Sequence, residues 1–112
     1  MEKKGFRGLL LKAVDSALSS LGDSARQSVY FHLEKKFGIK REEIPGRVDD
    51  FDQGLEKIFG VGTQFLEILI MRKLYEGMGS KGKILKLDRS DEFRFVDYVK
   101  AAEQVYLRSK RS

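Results

Sequence analysis

The stretch VGTQFLEILIMRKLYEG, residues Val61 to Gly77, decides the fold class. Phe65, Leu66, Ile68, Leu69, Ile70, Met71, Leu74 and Tyr75 cover most of the circumference of a helix drawn through it. A helix apolar nearly all round belongs at the centre of a bundle, surrounded by others. It does not belong in a bilayer. Glu67 interrupts the apolar run, and nothing in the chain approaches the roughly 20 apolar residues that a span requires.

Working outward, the preceding Gly60 reads as the stop of another helix, in which Phe51, Leu55, Ile58 and Phe59 form the apolar stripe. Asp49, Asp50 and Asp52 load its first turn, where carboxylates complement the free amides and the positive end of the helix dipole. Before it, Ile39–Arg47 holds the only proline, Pro45, which biases Ile44 toward extended backbone and so marks a connection. Further back, Val29, Tyr30, Leu33 and Phe37 predict a helix ending at Gly38, opened by a capping box over Ser24 to Gln27. A first helix fits Phe6–Leu21, with Leu10, Val14, Ala17, Leu18 and Leu21 at helical spacing and Gly22 as its stop.

On the other side, Gly77-Met-Gly-Ser-Lys-Gly-Lys83 places three glycines in seven residues and reads as a flexible connection over 77–83. Ile84–Leu87 offers a short strand, which would pair with Phe93–Val96 if residues 84–96 form a β-hairpin. A final helix starts at Ser90 or Asp91 and runs to about Ser109, with Phe95, Val99, Ala102 and Tyr106 on one side. The expectation is one all-α domain over residues 1–112, about five helices around a central apolar one. Its 112 residues and 41% apolar composition suit one modest core.

Composition excludes several chemistries. With no cysteine there is no disulfide, thiolate metal site or cysteine nucleophile, and a single histidine, His32, removes imidazole clusters. Ser28 lies one helical turn before His32, but Tyr30 and Glu34 fall on divergent faces, so no triad assembles locally. Asp49, Asp50, Asp52 and Glu56 lack the glycine turn and terminal glutamate of a calcium loop. The glycine-rich connection matches both G-x-G-x-x-G and G-x-x-x-x-G-K; however, the strand that should precede and the helix that should follow are missing, and Ile84 stands where a magnesium-binding hydroxyl belongs. The sequence therefore predicts no catalytic residue, no metal and no cofactor.

A net charge of +5, from 22 basic and 17 acidic side chains, could serve a polyanion or simply solubility. Arg72, Lys73, Lys81, Lys83, Lys86, Arg108, Lys110 and Arg111 are the candidate contacts for a polyanion or a protein partner. A winged-helix reading, with Ile84–Leu87 and Phe93–Val96 as wing, would send Phe65–Tyr75 into the major groove, and that helix has too few polar residues to read base edges. Weak phosphate contact is what remains.

The landmarks Ser20-Leu21-Gly22, Val29-Tyr30-Phe31-His32-Leu33-Glu34, Glu43-Ile44-Pro45, Phe51, Leu55, Ile58-Phe59-Gly60 with Gly62, Leu69-Ile70 and Leu74-Tyr75 resemble a small archaeal family similar to the Nitrosopumilus output domain. The likeness runs from about Ala13 to Tyr98 and rests on helix punctuation and core positions. It implies an archaeal, cytoplasmic helical module, alone or attached to signalling proteins, and brings no catalytic residues. The expected function is thus a non-catalytic interaction or regulatory-output module with a protein partner, self-association included. The alternative is a nucleic-acid-binding protein of low specificity using residues 72–86 and the C-terminal tail.

Overall fold

The computed structural model describes residues 2–79 and 94–111. Five helices follow in order: α1 (Glu2–Ser19), α2 (Asp23–Phe37), α3 (Val48–Phe59), α4 (Thr63–Met78) and α5 (Phe95–Arg111). Short 310 turns at Arg41–Gly46 and Gly60–Gly62 lead into α3 and α4. The fold is all-α, and among the described residues no helix is long and apolar enough to cross a membrane.

α1 begins earlier than its apolar spacing suggested and ends sooner. Gly5 and Gly8 are carried inside it, and Leu21 lies beyond its end, about half exposed. The Ser20 hydroxyl donates to the Ala17 carbonyl at 2.6 Å, drawing in the last turn. α2 opens at Asp23 behind Gly22, so Ser24 sits inside the first turn and the expected capping box is not made. Asp23 takes its place at the positive end of the helix, with Arg26 3.8 Å away. At the other end the sequence reading holds: Gly38 adopts the left-handed conformation (φ 65°) in which its own amide and that of Ile39 return to the Glu34 and Leu33 carbonyls.

The connection expected around Pro45 is a 310 turn whose Ile44 is fully buried with Ile39. It is opened by the Lys40 amide, which donates to the Glu43 carboxylate at 2.9 Å. α3 then packs so closely on α2 that a Cβ built on Gly54 would stand 2.7 Å from a Leu33 methyl.

The core joins all five helices. Leu10, Ala13, Val14, Ala17 and Leu18 of α1 meet Leu66, Ile70, Met71, Leu74 and Met78 of α4 along the most extensive helix pair. Phe95, Val99, Ala102 and Tyr106 give α5 the buried side its spacing predicted, with Phe51–Phe95 and Phe6–Tyr106 rings 6.1 and 5.9 Å apart. Phe95 and Val96 are helical, so the second arm proposed for a hairpin or wing is absent there. Residues 84–93, like Ser90 and Asp91 as helix starts, lie outside the described residues.

One expectation needs correcting. α4 is not surrounded: Phe65 is exposed and Ile68, Leu69 and Tyr75 are only half-buried. The four other helices of the described residues do not enclose it, as small domains leave much of their surface uncovered. α1, α3 and α5 cover one arc of α4, and the opposite arc faces solvent.

Candidate functional site

The corner between α3 and α4 is set by Thr63, a buried residue whose hydroxyl lies 2.7 Å from the Gly60 carbonyl and 3.1 Å from that of Leu55. A single hydroxyl hydrogen shared between two orphaned helix-end carbonyls satisfies both in part and holds the two helices at a fixed angle. The corner brings the acidic start of α3 beside the start of α4. Between them and α5 opens a cleft of about 840 Å³.

Asp49, Asp52 and Glu56 of α3 and Gln64 and Glu67 of α4 line one side of this cleft, and Arg94, Asp97 and Lys100 line the other. Glu67 is the unusual member, since only 5% of it is exposed. Burial comes first in pushing its carboxyl up to about 10, followed by the hydrogen bond to Asp52 and the negative charges of Asp52 and Glu56. At neutral pH Glu67 is therefore a neutral acid, hydrogen-bonded to Asp52. Its second oxygen, Oε2, is buried with no hydrogen-bond partner among the described residues. Such an orphan acceptor at the edge of an acidic wall is satisfied best by a cation or a strong donor.

Around the helix from Gln64, the exposed arc of α4 forms an apolar groove of about 450 Å³ lined by Gln64, Phe65, Ile68, Leu69 and Arg72. Phe65 is 79% exposed, and Val61, one turn earlier, is wholly so. Gln64 lines both features, so groove and cleft form one continuous surface.

The basic residues that the sequence singled out fall on α4, on α5 and outside the described residues. Arg72 is exposed at the end of the apolar groove, and Lys73, one position round, is half-buried. Arg108 is exposed on α5, and Lys110 and Arg111 belong to its last turn. Lys81, Lys83 and Lys86 lie outside the described residues, as does most of the glycine-rich connection. Gly77 and Met78 belong to α4, and the Gly79 amide caps it on the Glu76 carbonyl.

His32 is half-buried, edge-on to Phe31 at 5.9 Å, and no hydrogen bond among the described residues fixes its ring. A proton-transfer role would need such a partner. Of the first-turn acids, Asp50 pairs with Arg47 at 3.0 Å while Asp52 turns into the cleft. Among the described residues no three acidic or histidine side chains are placed to hold a metal ion.

Two residues of this surface escaped the sequence reading. Glu67 was visible as the break in an apolar run, and its periodicity places it on the buried arc with Ile70, Met71 and Leu74. Phe65 stands in the most apolar helix, where spacing alone does not set it apart from the core. No protein-family model, curated protein or solved structure matches the chain.

Proposed function

We propose that this chain is a non-catalytic protein-interaction module that docks through the outer face of α4. The observation that carries the reading is Phe65, 79% exposed within an apolar groove that Ile68 and Leu69 continue. An aromatic ring held out to water on a well-anchored helix is costly for solubility and useful as an anchor, since aromatic side chains dominate the energetics of interface centres. The Nitrosopumilus output domain resemblance supports the same reading and adds an archaeal, cytoplasmic, regulatory setting. Nucleic acid is the weaker candidate partner, because Arg72 shares its surface with an apolar groove and an acidic cleft, and a phosphate backbone would be repelled by the latter.

A photo-crosslinking phenylalanine analogue at Phe65, compared with one at the exposed Lys12 of α1, tests the docking face. Adducts to protein from Phe65 and not from Lys12 are expected. Products of monomer mass alone from Phe65 would remove the reading, and tight, salt-resistant duplex DNA binding lost on Arg72 and Lys73 reversal would put the nucleic-acid alternative in its place.

A further inference from the structure

We infer that the partner seated on α4 is a second copy of this chain, in an antiparallel pair that places Arg72 of each copy at the acidic cleft of the other. The inference rests on the docking role proposed above and names its occupant.

The exposed arc is built for a twofold axis. Phe65, Ile68 and Arg72 of α4, preceded by Val61 in the 310 turn, follow one another at spacings of four, three and four residues, an a/d-like repeat carried from the turn into the helix. Phe65 and Ile68 are equidistant from a point between Leu66 and Glu67, and so are Val61 and Arg72. When such a helix meets its own copy head to tail about that point, Phe65 falls opposite Ile68 and Arg72 opposite Val61, each layer occurring twice. A surface that is its own complement in this way is what an isologous dimer requires.

Charge agrees with this register. Arg72 is exposed and makes no ion pair among the described residues. Brought opposite Val61, it arrives where Val61 and Gln64 form the rim of the cleft, beside Glu56 and Asp52. There the acidic wall meets a guanidinium, a group suited to carboxylates because its planar donors can serve two oxygens at once. The orphan Oε2 of Glu67 lies on the same wall, buried and lacking a donor among the described residues. Cleft and groove thus become two halves of one interface, the cationic end of one helix answering the anionic end of the other.

Sedimentation over the micromolar range, with circular dichroism as the check on folding, is the first measurement. A reversible dimer is expected. Phe65→Glu should leave the helical spectrum unchanged and give a monomer. Arg72→Glu should weaken association about tenfold or more, worth about 1.4 kcal/mol for each tenfold, and adding Glu56→Arg to the same chain should recover most of it. Because the chain has no cysteine, register can be read directly: a chain carrying Phe65→Cys mixed with one carrying Ile68→Cys should form the mixed disulfide faster than either forms its own. Equal rates, or a double reversal no better than the single one, would overturn the antiparallel register. A chain that stays monomeric throughout overturns the inference altogether. If the Phe65 photo-adduct is then another protein, the docking reading survives without its second copy.

Discussion

The guanidinium of Arg41 grips the carboxylate of Asp15, with Nε 3.0 Å from Oδ1 and a second nitrogen on Oδ2, while the Tyr30 hydroxyl donates to the same Oδ1. Three separate segments, α1, α2 and the first 310 turn, are tied at this one carboxylate. Burial alone would raise the Asp15 pKa, but the hydrogen bonds from Arg41 and Tyr30 outweigh it and hold the group below its ordinary 3.8.

A carboxyl lowered in the folded state contributes stability above its unfolded value, and that contribution is lost as pH falls through the folded one. Asp15→Asn should cost about 1–2 kcal/mol at neutral pH, the lower part of the range for charge-assisted bonds because both partners are partly exposed. The gap between variant and wild type should close below about pH 4 in urea melts. A gap that persists unchanged at low pH would mean that the carboxylate's charge is not what holds the three segments.

Glu67 predicts the opposite slope. Its folded pKa is raised from 4.5 to about 10, so the native state keeps a proton that the unfolded chain gives up. Its contribution is fully present below about pH 4.5 and declines as pH rises toward 10. Glu67→Gln keeps a neutral donor for Asp52 and carries no proton to lose. It should match wild type at pH 5 and exceed it at pH 9 by thermal melting. Parallel curves for the two proteins would show that Glu67 is ionised in the folded state.

The two arcs of α4 should respond differently to truncation. Ile70 is wholly buried, and Ile70→Ala should cost about 2–5 kcal/mol through lost burial and the cavity left behind. Leu69 is only half-buried, so Leu69→Ala should cost about 1 kcal/mol or less in a dilute monomer. Denaturant midpoints of the pair decide it, and equal losses would place Leu69 inside the core.

Gly54 sits where α3 crosses α2. Alanine would gain about 1 kcal/mol of helix propensity there, but its Cβ would press to 2.7 Å from a Leu33 methyl and 3.4 Å from the Phe37 ring. Leu33 is itself fully buried and has nowhere to yield, and overpacking of this kind costs about 1–3 kcal/mol. Gly54→Ala should therefore lower the melting temperature. A rise would show that α2 can move aside.

Much of the fold was legible because its signals are local. Gly38 and Gly60 end their helices as their positions announced, and the spacing of Phe95, Val99, Ala102 and Tyr106 named the buried side of α5 before any packing was known. The capping box at Ser24 failed because Gly22 and Asp23 offered a start one residue earlier. The surface was harder to read. Apolar residues all round α4 conceal which arc is covered, since that depends on how many neighbours the chain can supply rather than on α4 itself. The state of Glu67 depends on Asp52, fifteen residues back on another helix, and no periodicity within either helix reports such a meeting.

The long seam between α1 and α4 has a consequence for biosynthesis. Residues 2–19 find their most extensive partner only in residues 63–78, so in a nascent chain α1 can pack on α2 and the first 310 turn while its α4-facing side stays uncovered until α4 is translated. At about 5–20 residues per second that interval lasts roughly 3–12 s, ample time for a ribosome-associated chaperone to bind Leu10, Val14 and Leu18. That side of α1 stays open until α4 is made, and a chaperone that shields it would limit aggregation during synthesis.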